Sequence, residues 1–174
     1  MAASHYKKWI PALLAVPFFG GQALAQATTN PDLAAQVQEL QTKLSAAQMA
    51  GDNAWMLVSS AFVLAMTAPG LMLFYGGLVR AKNVLSIFVQ CFYLMALVSI
   101  LWLLFGYSLA FAKGNGFIGG TDYLLLNGVG QEPNTTYAGT IPHQTWMFFQ
   151  LMFAIITPGL MCGAFAERFR FRAL

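Results

Sequence analysis

Three long apolar stretches, separated by short polar punctuation, organise most of this chain. They run from about Trp55 to Val79, from about Val84 to Ala112, and from about Trp146 to Ala166. Each reaches the roughly 20 residues that a membrane-crossing helix requires. Trp55, Tyr107 and Trp146 lie near their ends, where amphipathic rings favour the membrane–water interface. A different pattern precedes them. Leu33, Val37, Leu40, Leu44 and Ala47 recur at alternating spacings of four and three, which predicts a helix with one apolar stripe. Asn30 is a suitable cap, and Pro31 fits the first helical position, where its missing N–H is not needed. Gly51 is expected to end this helix. The stripe covers only about two heptads, short of the three or four a coiled coil needs. Packing on the protein's own outer face is therefore preferred to an oligomeric stalk.

Composition agrees with a membrane protein. Hydrophobic residues make up 58% and charged residues 9%, against about 25% charged in a soluble domain. The net charge of +3 is too small to argue for nucleic acid, and no long basic run is present. The first residues read as a secretory signal peptide: a basic start at His5, Lys7 and Lys8, an apolar run from Ile10 to Phe19, and a small-residue cleavage pattern ending at Ala25. Residues 1–25 would then be removed. Residues 26–53 would form an extracytoplasmic helical extension, and residues 54–174 the membrane domain. Cations give the orientation. Arg80 and Lys82 sit in the first turn, and Arg168, Arg170 and Arg172 follow the third stretch. The positive-inside rule places both in the cytoplasm. The signal peptide independently places the mature N-terminus outside.

The long loop from Lys113 to His143 is punctuated by Gly114, Gly116, Gly119 and Gly120, with Pro133 and Pro142 as helix stops. Tyr123 to Leu126 is a short helix or packed segment within it. Asn134-Thr135-Thr136 fits a glycosylation pattern that is common by chance and carries no weight. Cys91 and Cys162 both fall inside apolar stretches, so they read as small buried hydrophobes rather than a disulfide framework. An internal echo links Pro69-Gly70-Leu71-Met72 with Pro158-Gly159-Leu160-Met161. Thr67 and Thr157 stand close before the prolines, where a hydroxyl can help re-satisfy a disturbed turn. A packing solution used twice explains the echo better than a duplicated ancestor. The sequence offers no nucleophile–base pair, phosphate loop or metal spacing, and Ser59 and Ser60 have no nearby histidine. An enzyme is not indicated, and no cofactor is expected.

The wording of these stretches carries a resemblance. Asp52-Asn53-Ala54-Trp55, Met66 through Leu85 with its Phe74-Tyr75-Gly76-Gly77-Leu78-Val79-Arg80 run, Leu101 to Phe111, Phe149 to Phe153, and Gly163 to Arg168 occur in order. This set resembles the ammonium transporter family of the Amt, Mep and Rh group, on the Amt side, over about Asp52 to Arg172. The resemblance implies an all-α membrane fold in which this chain supplies the first three of eleven spans. It implies a homotrimer with one pore per subunit, ammonium, ammonia or methylammonium as substrate, a cytoplasmic (inner) membrane location and a cytoplasmic regulator of the PII type. The family's pore histidines belong to later spans. His143 precedes the third span at the outer surface and is not one of them.

By that resemblance, Phe149 and Phe153 match the paired outer phenylalanines, and Leu71, Phe74 and Tyr75 match the inner end of the pore. Spacing alone would make all five packing or lipid-facing residues; for Phe74 the two readings weigh equally, and for Tyr75 packing is preferred. Arg80, Lys82 and Asn83 are expected to anchor the first turn, and Glu167 to pair locally with Arg168. The complete protein would recruit ammonium, strip its proton and conduct mainly the neutral amine. This chain by itself is not expected to conduct. Its rivals are part of an ammonium sensor, or a three-span structural or assembly protein.

Overall fold

The computed structural model describes residues 31–169. The expected signal peptide, the expected Asn30 cap, Arg170 and Arg172 lie outside those residues. Contacts divide the chain into two compact units meeting at Gln48 and Met49. In the first, residues 31–48 are helical, with a Glu39–Lys43 ion pair one turn apart at 2.6 Å. The apolar stripe is uncovered: Leu40 is 65% and Leu44 70% exposed. Helix α1 is Pro31–Ala65, so Gly51 does not end it. A glycine inside a helix costs only about 1 kcal/mol against alanine, and nothing around Gly51 crowds its Cα.

The second unit holds the spans. At Pro69 the first span changes to a wide-turned π segment, Met66–Leu71, before α2, Met72–Leu78. Proline cannot donate to the carbonyl four residues back and crowds it, and an extra residue in the turn relieves both. After a short 3₁₀ turn at Ala81–Asn83 come α3, Val84–Leu101, a second π segment at Trp102–Gly106, and α4, Tyr107–Phe111. The third span is α5, His143–Phe165. It starts three residues earlier than expected, directly after Pro142. Among the described residues, three helical segments are long and apolar enough to cross a membrane. The protein is a multi-pass, mostly helical membrane protein.

The echoed motifs do not repeat one conformation. Around Pro158 the helix stays α-helical. The threonine hydroxyls also serve other carbonyls than the ones the prolines leave free. Thr67 Oγ1 donates to Val63 O at 3.5 Å and Thr157 Oγ1 to Phe153 O at 2.8 Å. What unites the motifs is contact. A side chain at Gly159 would meet Leu71 Cδ1 at 3.1 Å and Thr67 Cγ2 at 3.8 Å. The two proline–glycine segments pack on each other, as the packing explanation requires, and small residues let the backbones approach.

Buried faces follow helical spacing. Ile87, Cys91 and Leu94 form one stripe on α3, joined by Met72 and Cys162. Leu151, Met152 and Ile155 form a second cluster with Val63, Val98 and Trp102 against it. The loop carries one element that the pattern did not predict, a two-stranded hairpin pairing β1, Pro133–Asn134, with β2, Ala138–Pro142. The short helix expected within Tyr123 to Leu126 is a 3₁₀ turn at Leu124–Leu126.

Candidate functional site

One end of the helical unit is built by the turn after α2. Tyr75 and Phe74 meet edge to face with centroids 5.1 Å apart, but they face different surroundings. Phe74 is 59% exposed. Tyr75 crosses to the third span: its hydroxyl donates to Leu160 O at 2.6 Å. Its ring lies over Gly163, where a Cβ would stand 2.5 Å from Tyr75 Cε1. Tyr75 therefore packs two spans together. The same ring walls an open cleft of about 480 Å³ with Leu78, Val79, Leu160 and Ala164. Leu71, one turn earlier, contacts the Gly159 position.

A carboxylate ties this end shut. Glu167 Oε1 accepts from the Arg80 backbone N–H at 2.9 Å and from Asn83 Nδ2 at 2.7 Å. Arg80 Nε reaches Glu167 Oε2 at 3.2 Å. The expected local pair with Arg168 is thus replaced by a partner 87 residues away. The reason is geometric. Glu167 has φ of 61°, a left-handed turn just past the helix end. There the chain reverses, and the side chain meets the first turn instead of its neighbour. The Asn83 amide, then the Arg80 backbone N–H and guanidinium, lower the Glu167 pKa from 4.5 to about 2. A depressed carboxyl pKa stabilises the fold above the unfolded value and loses that contribution as pH falls through the folded one. The latch should be constant down to about pH 4.5 and fade from there toward pH 2. Amide exchange at Arg80 followed against pH is the check, and Glu167→Gln should flatten the profile. A midpoint near the ordinary 4.5 would refute the strong pairing.

At the other end of α5, Phe149 and Phe153 stand edge to face, centroids 5.1 Å apart and planes at 73°. Their four-residue spacing puts them on one helix face. Phe153 is 43% exposed. At 1.5 Å rise per residue, Phe153 and Leu160 are about 10 Å apart along the helix. The Phe149–Phe153 pair and the Tyr75 contact thus lie at different levels along α5.

At the start of α5 sits an aromatic cap that the pattern of apolar stretches did not reveal. His143 is 3% exposed, so it is buried rather than on the outer surface. Its Nε2 is 2.5 Å from the Tyr107 hydroxyl, and its ring meets Tyr123 edge to face at 5.1 Å. Tyr107 stacks on Phe111, and Tyr137 donates its hydroxyl to the Phe111 carbonyl. Ser108 Oγ donates to Gly120 O at 2.9 Å and accepts from Tyr123 N at 3.1 Å, folding the loop onto the end of α4. Thr145 Oγ1 donates to Asn53 Oδ1 at 2.7 Å, joining the starts of the third and first spans. The density of aromatics between Trp102 and Trp146 was the available signal for this cap. Among the described residues, no group of three or more His, Cys, Asp or Glu is arranged to hold a metal.

Comparison with known proteins agrees with the resemblance. The family model described as "Ammonium Transporter Family" matches residues 54–174. The "Ammonium transporter" of Bacillus subtilis is 52% identical over 123 residues, covering 71% of this chain and 30% of that protein. "Ammonium transporter 1" of Dictyostelium discoideum is 43% identical over 124 residues, covering 71% of this chain and 27% of that protein. "Ammonium transporter Amt1" of Archaeoglobus fulgidus is 37% identical over 119 residues, covering 68% and 28%. The chain thus spans under a third of the length of these relatives. Its ordered motifs, its three apolar helices and these matches together make it a member of the ammonium transporter family, corresponding to the family's N-terminal part.

Proposed function

We propose that this chain is the N-terminal portion of a transporter moving ammonium or ammonia inward across the cytoplasmic membrane. In this reading the mature N-terminus is outside, after removal of residues 1–25, and the turn at Arg80 and Lys82 is cytoplasmic. The complete protein is a homotrimer with one pore per subunit, and its cytoplasmic face is open to a regulator of the PII type. The observation that carries the reading is the edge-to-face Phe149–Phe153 pair with one ring partly exposed, in a chain of this family.

The pair suits the physical problem. Moving a bare ammonium ion into hydrocarbon costs tens of kcal/mol by Born reasoning. An aromatic face returns about 0.5–2 kcal/mol to a cation resting on it. That concentrates the ion at the mouth but cannot carry it through. The ion must give up its proton deeper in, so that the neutral amine crosses the apolar passage while the proton moves separately. Phe153 is the main gate ring and Phe149 its support. Leu71 and Phe74 line the inner end, while Tyr75 both borders it and holds the spans.

The test is labelled methylammonium uptake by cells expressing the full-length protein. Phe153→Ala is expected to lower uptake at limiting substrate by roughly 2- to 30-fold, the range set by the cation–π energy. Expression of residues 1–174 alone should give no uptake. Full-length protein with unchanged uptake after both Phe149→Ala and Phe153→Ala would remove the gate from this account.

A further inference from the structure

We propose that Cys91 and Cys162 form a buried two-sulfur site for a soft divalent metal ion of the mercury(II) class. The two thiols come from different spans, 71 residues apart in sequence, and their sulfurs lie 3.9 Å from each other. Cys91 is 1% exposed and Cys162 0%. Both belong to one cluster with Ile87, Leu94 and the thioether-bearing Met72. Their protons are accounted for: Cys91 donates to the Cys162 sulfur, and Cys162 donates to Pro158 O. Each thiol is thus reduced, and each holds a hydrogen that a metal can replace.

The spacing selects the chemistry. A disulfide requires sulfurs about 2.05 Å apart, so the two spans would have to close by about 1.9 Å. Two thiolates on one metal at about 2.3 Å each stand about 3.8 Å apart at a tetrahedral angle and about 4.6 Å apart in a linear arrangement. The observed 3.9 Å lies between those limits, so a bridging metal needs less movement than a bond between the sulfurs. Zinc's closed structural sites use four ligands. Among the described residues no cluster of three or more His, Cys, Asp or Glu exists. Soft sulfur ligands instead select soft ions.

Charge narrows the choice further. Two thiols releasing two protons to a divalent ion leave a neutral sulfur–metal–sulfur bridge. A monovalent ion such as copper(I) would leave one negative charge among apolar neighbours, which a low-dielectric interior penalises heavily. Binding forms two metal–sulfur bonds, breaks two S–H bonds and sends both protons to solvent, with no change in oxidation state. The bridge would pin the second span to the third.

The experiment adds one equivalent of mercury(II) chloride to the purified, detergent-solubilised 174-residue chain. Intact mass spectrometry should show one mercury gained and two hydrogens lost. Two-point attachment should require about 100-fold more competing glutathione for removal than attachment through one sulfur. C91S and C162S should each show the weaker, single-sulfur behaviour. C91A and C162A serve the same purpose if serine in an apolar cluster prevents folding. Two mercury ions on one chain, or single variants as resistant to glutathione as the parent, would overturn the proposal.

Discussion

Alanine at position 119 is expected to release the long loop from the second span. Its Cβ would stand 2.6 Å from the carbonyl oxygen of Leu109 and 2.7 Å from that of Ser108. Both obstacles are backbone atoms of α4 and its end, so no side chain can swing aside. The loop would have to retreat, and its bonds would fail in order. The first is Gly119 N–H to Leu109 O, at 2.8 Å. The next are Ser108 Oγ to Gly120 O and Tyr123 N–H to Ser108 Oγ. At about 1 kcal/mol net for each hydrogen bond, the local loss is about 3 kcal/mol. Amide exchange at Gly119 and Tyr123 should quicken by roughly 100-fold. Gly116→Ala is the control, since a Cβ there meets nothing within 4 Å. Equal exchange in both variants would mean that the loop is not held at this contact.

Loss of that anchor should reach the aromatic cap. Tyr123 is the residue whose backbone Ser108 holds, and its ring lies against both His143 and Tyr107. The cap closes over the start of α5, one turn and a half before Phe149. A loosened loop would therefore disturb the surroundings of the start of α5 without touching either phenylalanine. Under the gate proposed above, uptake effects of Gly119→Ala and Phe153→Ala in the full-length protein should combine, because the two substitutions act on different contacts.

The membrane spans were legible because length and continuous apolarity suffice to specify them. A helix is the solution that satisfies every backbone group within a single segment of bilayer. The first turn was legible because its cations and glycines are local signals. Long-range partnerships left no such trace. Glu167 has an arginine as its immediate neighbour, and only the left-handed backbone at Glu167 turns it toward Arg80 and Asn83. His143 stands beside Pro142 and Gln144, and its burial depends on Tyr107 arriving from another span. The thiols at Cys91 and Cys162 were read correctly as buried, but their proximity depends on the register between α3 and α5. Gly51 misled in the other direction. Its weak helix propensity suggested a stop, yet the penalty is small against the bonds gained on both sides. The ring pairs at Phe149–Phe153 and Phe74–Tyr75 followed from spacing and adjacency, whereas what Tyr75 does across the interface did not.

That interface supports the second large effect. In Gly163→Ala the new methyl would stand 2.5 Å from Tyr75 Cε1 and 3.2 Å from Cζ. A flexible side chain would give way, but Tyr75 is tied by its hydroxyl to Leu160 O on the same helix as Gly163. The ring cannot slide without breaking that bond, so overpacking and a lost hydrogen bond combine. The expected destabilisation is about 2–4 kcal/mol, read as a lowered unfolding midpoint of the detergent-solubilised chain. Gly77→Ala is the contrast: a Cβ there meets nothing within 4 Å, and alanine should be neutral or favourable in a helix. A double-mutant cycle isolates the contact. Tyr75→Leu removes the ring, so adding Gly163→Ala to it should cost little, with a coupling of at least about 1 kcal/mol. Tyr75→Phe keeps the ring and frees it from Leu160, so it should rescue Gly163→Ala only in part. If the two substitutions were strictly additive, Tyr75 would not be wedged between the first and third spans. Its assignment would then shift from holding those spans to lining the cleft.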